Sequence, residues 1–102
     1  MNRPRRVGLP WYEAEHYDAL RKILTDGAAL PATYEAWRIA TEQVEGVVQR
    51  SGVEVVRVPI EPDDFAAWCA RGGSARDGAA RVRYAEERLA GRVPNDEGPQ
   101  AE

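Results

Sequence analysis

The sequence predicts a mostly α-helical domain with one β-strand, in the order helix, helix, strand, helix, helix. Only residues 53–60 (VEVVRVPI) combine β-branched side chains with a two-residue alternation, which is typical of a strand. On both sides of this run, apolar residues recur every three or four positions and end at glycine, as they do in helices. A chain of 102 residues with a hydrophobic fraction of 43% predicts one soluble domain that needs no disulfide or metal to fold.

The first helix is predicted from residue 12 or 13 to residue 26. Pro10 stands close to the expected start, where its missing N–H would have no helical partner in any case. Leu20 and Ile23 lie on one stripe, and Gly27 follows the expected end. A loop then leads to Thr33.

The second helix is predicted from Thr33, whose hydroxyl can accept a hydrogen bond from the first helical turn, to the residues before Gly52. It would have about five turns. Its predicted inward stripe consists of Tyr34, Trp37, Thr41, Val44 and Val48. Ala40 and Val47 flank this stripe.

The strand at residues 53–60 has one fully apolar face and one mixed face. The apolar face holds Val56, Val58 and Ile60, and the mixed face holds Val53, Val55, Arg57 and Pro59. Pro59 has no N–H for a ladder, so we expect an edge strand. Its partner is residues 6–9, the same strand of a second copy, or a different protein. We expect the second copy, so that the strand pairs across a two-fold axis in a homodimer through Val53, Val55 and Arg57.

Two further helices are predicted after the strand. Glu61 and Pro62 begin the third, which buries Phe65, Trp68 and Cys69 and ends at Gly72 and Gly73. Ser74 and Asp77 resemble a capping box for the fourth, which would end near residue 92.

The chain is expected to divide into an arm, a domain and a tail. Residues 1–10 form a flexible basic arm that contains Arg3, Arg5 and Arg6, residues 11–93 form the single helical domain, and residues 94–102 form a disordered acidic tail. The single cysteine fits a reducing compartment. No apolar run approaches the roughly 20 residues of a membrane span, and no secretory signal is visible. We therefore expect a cytoplasmic protein.

Candidate catalytic residues are few. A Cys69/His16 pair is formally available, but Cys69 lies on a helical face expected to be buried. Glu61, Asp63 and Asp64 cluster where acids complement a helix dipole. No metal-ligand spacing, phosphate loop or dinucleotide motif occurs. We predict no catalytic residues, cofactor or metal, and hence no enzyme.

The residues expected to anchor a partner are Trp11 and Tyr12. Trp and Tyr are common at the centres of interfaces, and these two stand at a helix entrance beside the predicted arm. We expect them to be accessible.

From Val55 onward the chain resembles a ribbon-helix-helix protein: a short strand, a helix, a tight turn and a second helix. The resemblance implies that strands of two chains pair antiparallel and lie in the major groove of DNA. Val55, Arg57 and Pro59 would face the bases, and Gly73, Ser74 and Ala75 would hold a phosphate through their N–H groups. The basic residues Arg3, Arg5 and Arg6 would add to DNA binding. Only Arg57 on the strand can bond base edges, so this function is the alternative.

A second resemblance covers residues 11 to about 90. Trp11-Tyr12, the stretch LPxTYxxW at residues 30–37 and the stretch RVxIxPxxFxxWC at residues 57–69 are similar to a pattern in small uncharacterised bacterial proteins, for which it implies no activity. The favoured function is a small non-enzymatic cytoplasmic module that binds another macromolecule. Nucleic acid is the less favoured partner, and no membrane association is expected.

Overall fold

The computed structural model describes residues 5–97, with side chains to residue 91. Within this range the chain forms two strands, four α-helices and two short 3₁₀ turns. The order of strands and α-helices is β1 (Arg6–Trp11), α1 (Tyr17–Ile23), α2 (Tyr34–Arg50), β2 (Glu54–Pro59), α3 (Pro62–Gly72) and α4 (Gly78–Glu97). The prediction of a mostly helical fold is confirmed, although the observed order begins with an additional strand.

The additional strand, β1, pairs with β2 in a parallel two-stranded sheet, with Arg6 beside Glu54 and Trp11 beside Pro59. Most of the expected flexible arm is therefore part of the fold. Of the three partners considered for β2, residues 6–9 of the same chain occupy one edge. Parallel strands need a long crossover, which residues 12–53 supply through α1 and α2.

The ladder shows which backbone groups face outward. Glu54 N–H donates to Arg5 C=O at 2.7 Å, and Ile60 N–H donates to Trp11 C=O at 2.9 Å. Because backbone direction alternates along a strand, the even-numbered residues of β2 face β1, whereas Val55, Arg57 and Pro59 face away from it. In β1 the outward positions include Pro10. Each outer edge therefore contains a proline where no ladder hydrogen bond is lost.

Helices cover both faces of the sheet. On one face α4 crosses β1 so closely that a Cβ on Gly8 would lie 2.9 Å from the carbonyl oxygen of Ala85. On the other face Trp37 of α2 packs edge-on against Trp11, with ring centroids 4.9 Å apart. Of the predicted apolar face, Val58 and Ile60, the latter just after β2, are fully buried, whereas Val56 is half-buried.

The helix ends follow local chemistry. Thr33 caps α2 by accepting a hydrogen bond from Ala36 N–H at 3.2 Å, as predicted. Glu61 caps α3 by accepting from Asp64 N–H at 2.8 Å, and Gly73 ends α3 with φ 67°. The fourth helix begins later than expected, at Gly78. Its cap is Asp77 rather than Ser74, and the Asp77 carboxylate accepts a hydrogen bond from Ala80 N–H at 2.9 Å.

Two other boundaries differ from the predictions. Helix α1 begins only at Tyr17, because the chain before it belongs to β1 and a 3₁₀ turn. Helix α4 continues to Glu97, so residues 94–97 of the expected tail are helical. Pro94 gives up one helical hydrogen bond there without ending the helix. Arg3 and residues 98–102 lie outside the described residues.

Candidate functional site

Helix α2 leaves much of its apolar surface uncovered. Val44 is 55% exposed and Val47 is 59% exposed, and Ala40 is exposed as well. These three residues, the α2 stripe, were predicted to face or border the core, but within α2 only Trp37 is buried. The helix of 17 residues is about 25 Å long and lies over a sheet of two strands, which is too narrow to cover its whole apolar side.

Two residues of the α2 stripe, Ala40 and Val44, line a groove between α2 and α4, which has a volume of about 400 Å³. Leu9, Pro10 and Tyr12 line it at the outer edge of β1 and just after it. Val44 lines the α2 side, and Val82, which is 51% exposed, lines the α4 side. The groove, called the interhelix groove below, is therefore apolar on both sides.

The single charged side chain among the described residues that line the interhelix groove is Arg81, and its charge is balanced. Arg81 is 8% exposed and donates two hydrogen bonds to the carboxylate of Asp26, at 2.8 and 2.9 Å. The hydrogen bond from Arg81 lowers the pKa of Asp26, which keeps the carboxylate ionised. Burial raises the pKa of the neighbouring Tyr12 to about 12, so its phenol is neutral at pH 7. Arg81 and Asp26 together therefore add no net charge to the interhelix groove.

The β1 edge in the interhelix groove has few free donors. Gly8 N–H donates to a carboxylate oxygen of Glu86 at 3.1 Å. Pro10 has no N–H. An added strand would find little to bond to at this edge, whereas apolar side chains would find an apolar surface.

Trp11 and Tyr12 are not accessible anchors, which corrects the expectation from the sequence. Both are buried in an aromatic cluster, where Tyr12 stacks on Trp37 with ring centroids 4.6 Å apart. The reason is that Trp11 ends β1 and is held in the sheet rather than beside a mobile arm. Tyr12 reaches the interhelix groove only as part of its lining.

Arg57, the predicted base-reading residue, is held within the fold. It donates two hydrogen bonds to Glu45, both at 2.8 Å, and its guanidinium lies 3.7 Å from the centroid of the Trp11 ring. A carboxylate oxygen of Glu42 lies 3.7 Å from a guanidinium nitrogen of Arg57. The strand face that would meet DNA bases therefore faces α2, and two carboxylates neutralise its one cation.

Gly73, Ser74 and Ala75 do not form the phosphate site that the ribbon-helix-helix resemblance implies. Gly73 N–H donates to Ala70 C=O at 3.3 Å, and Ser74 N–H donates to Cys69 C=O at 3.0 Å. These bonds satisfy the end of α3, and α4 begins only at Gly78. Of the basic residues, Arg5 is exposed and Arg6 pairs with Glu54 at 3.3 Å.

The candidate catalytic groups Cys69 and Glu61 have structural roles in helix α3. Cys69 is buried in α3, where its thiol lies 3.8 Å from Ala75 C=O. Glu61 serves as the cap of α3. Among residues 5–97, no group of three or more His, Cys, Asp and Glu side chains is arranged to hold a metal ion. In the same part of the chain, none of the helices combines the length and apolar character that crossing a membrane requires.

Comparisons with protein-family models, curated proteins and solved structures found no match to this chain. The two resemblances seen in the sequence therefore rest on the quoted residues alone. The interhelix groove was not predicted. Its signal in the sequence was the width of the apolar side of α2, where Ala40 and Val47 flank the stripe that contains Trp37, Val44 and Val48.

Proposed function

We propose that this protein is a small non-enzymatic cytoplasmic module that binds another protein by holding the apolar side of an amphipathic helix in the interhelix groove. One observation carries the proposal: Val44 on α2 and Val82 on α4 are each more than half exposed, and both line one apolar groove. Exposed apolar surface of this kind is typical of interaction sites.

A helix is the occupant that the interhelix groove favours. A strand would need backbone partners on β1, and Gly8 and Pro10 offer no free N–H there. A charged peptide would lose its hydration against a lining in which Arg81 is already paired with Asp26. An amphipathic helix presents apolar residues at three- and four-residue spacing, which matches a groove between two helices.

The non-enzymatic part of the proposal is supported by the structural roles of the candidate catalytic groups. Cys69 is packed in the core and Glu61 accepts a helix-capping hydrogen bond. The cytoplasmic part rests on the single cysteine. The alternative, a ribbon-helix-helix-like regulator, has no comparable support, because α2 covers the strand face that would read DNA.

The test is a selection of peptides from a displayed library on the immobilised full chain, followed by binding measurements with purified variants. Selected peptides should be helical, with apolar residues spaced by three and four. Val44→Asp should weaken their binding at least tenfold, because a charge would enter an apolar contact.

The matched control is Ile39→Asp, on the same helix. Ile39 is 47% exposed and lies about 140° around the helix axis from Val44. It should leave peptide binding within about twofold of wild type. Selection of extended peptides, or equal loss of binding in both variants, would exclude the interhelix groove as the site.

A further inference from the structure

The outer edge of β2 carries backbone groups that the sheet does not use. Residues 54 and 60 bond to β1, so the alternation of the ladder directs the N–H and C=O groups of Val55 and Arg57 to the opposite side. Pro59 continues this edge with a C=O and no N–H. By the same alternation Val53 N–H, just before the strand, faces this side as well, so the β2 edge presents three donors and a longer row of acceptors.

The side chains leave this edge open. Arg57 extends across the sheet face toward β1 and α2, where it contacts Trp11 and Glu45. Val55 and Val56 are half-buried on opposite faces of the strand. None of these three side chains therefore places a charge or a bulky group beside the outer edge of β2, in the plane of the sheet.

We infer that the β2 edge pairs antiparallel with the β2 edge of a second copy, which joins the two sheets across a two-fold axis. With the axis at Val56, Val55 of each copy stands opposite Arg57 of the other, and each such pair exchanges both of its hydrogen bonds. Val53 N–H then meets Pro59 C=O, so the absent N–H of Pro59 falls at the end of the pairing. The register makes about six hydrogen bonds.

This register is self-complementary in its side chains as well. The two Val56 side chains meet at the centre, in a position without direct hydrogen bonds, where opposed side chains approach most closely. An axis at Arg57 would instead place two arginines opposite each other and Val55 opposite Pro59, which would leave Val55 C=O without a donor. A second copy therefore satisfies the β2 edge without any other protein.

The pairing also closes on itself. The outer edge of β1 is blocked by Pro10 and by the bond from Gly8 N–H to Glu86, so a third copy cannot add there. A two-fold pairing of β2 edges consequently gives a dimer and not a fibre. The inference does not rest on the interhelix groove, which lies at the opposite edge of the sheet.

The first test is sedimentation equilibrium of the full chain from about 1 to 500 µM, a range suited to a small interface. Wild type should self-associate to a dimer within this range. Val55→Pro removes two of the about six hydrogen bonds and should raise the dissociation constant about thirtyfold. The same variant spares the bonds to β1, because Val55 N–H faces away from it.

The matched control is Val55→Ala, which keeps the N–H and should leave the dissociation constant within about threefold of wild type. Far-ultraviolet circular dichroism establishes that each variant is folded. A monomer throughout the range, or equal dissociation constants for both variants, would overturn the inference. Loss of the dimer in Val44→Asp with retention in Val55→Pro would also overturn it, since the second copy would then occupy the interhelix groove.

A second measurement needs no substitution. Amide hydrogen exchange of wild type, followed by NMR, should slow at Val55 and Arg57 as concentration rises, while Val56 and Val58 exchange at a constant slow rate because they bond to β1. Exchange at Val55 and Arg57 that is independent of concentration, in a sample that dimerises, would contradict pairing at the β2 edge.

Discussion

Replacement of Asp26 by asparagine is expected to destabilise the fold by about 2 to 3 kcal/mol. Asp26 balances Arg81, which is 8% exposed and donates to both carboxylate oxygens of Asp26, at 2.8 and 2.9 Å. The substitution leaves a guanidinium that lines the interhelix groove without its hydrogen-bonded carboxylate.

The magnitude follows from the burial of the two partners. Removal of one partner from a fully buried ion pair costs about 3 to 5 kcal/mol. The Asp26 side chain is 40% exposed, so water already screens part of the interaction and the value is reduced. For a domain of this size the result corresponds to a melting temperature lowered by about 10 to 20 °C.

The assay is urea unfolding of Asp26→Asn at pH 7, with Glu54→Gln as the matched control. Glu54 pairs with Arg6, and both side chains are close to half exposed, so its loss should change stability by less than about 0.5 kcal/mol. If the two substitutions have equal effects, the Asp26–Arg81 pair does not support the groove as described.

The pH dependence of stability checks the same pair. The hydrogen bond from Arg81 lowers the pKa of Asp26, so the folded state keeps the carboxylate charged where the unfolded chain binds a proton. The stabilisation is complete above the unfolded pKa of about 3.9 and is lost as pH falls through the lower folded pKa. Wild type should therefore lose more stability than Asp26→Asn between about pH 6 and pH 3, and a parallel loss would refute the reasoning.

Three further outcomes are expected. Gly27→Ala should destabilise the fold by about 2 kcal/mol or more, because its Cβ would lie 1.8 Å from Arg21 C=O, whereas Gly72→Ala, with nothing within 4 Å, should be neutral or slightly stabilising in thermal unfolding. The thiol of Cys69, 1% exposed, should react with a thiol reagent only when the chain unfolds, and rapid reaction of the folded protein would contradict its burial. Glu61→Ala should cost about 1 kcal/mol through loss of the α3 cap, and an unchanged urea midpoint would show that the cap contributes nothing.

Local signals predicted those parts of the fold that depend on neighbours in sequence. Thr33 caps α2 because its hydroxyl meets the N–H of Ala36, three residues away. The apolar face of β2 is buried at Val58 and Ile60 because alternation alone assigns them to one side. Neither feature requires knowledge of what lies across the fold.

The sequence offers β1 only as one of three possible partners for β2, because residues 6–11 carry weak local signals of a strand. Gly8 and Pro10 are both poor strand residues, and pairing with β2 joins positions such as Arg6 and Glu54, which are 48 residues apart. In the fold both residues suit their positions. Gly8 has no Cβ, which lets the backbone of α4 approach closely, and Pro10 lies at an outward-facing position where no ladder hydrogen bond requires an N–H. Once β1 is formed, Trp11 and Tyr12 enter the core and cease to be accessible anchors.

The candidate site could be predicted only in part for a related reason. Periodicity identified Val44 and Val47 as members of an apolar helix side, but whether that side is covered depends on the width of the sheet beneath it. Arg57 was correctly placed on the mixed strand face. Its ion pair with Glu45 depends on how α2 crosses that face, and the sequence pattern does not specify this crossing.

The most direct measurement of groove binding is an NMR titration of the labelled full chain with a helical peptide selected on wild type. Methyl signals of Val44 and Val82 should shift on binding, and the amides of Val55 and Arg57 should shift only with protein concentration. If the peptide instead perturbs the β2 amides and leaves the two valine methyls unchanged, the partner binds at the sheet edge and the interhelix groove is not the binding site.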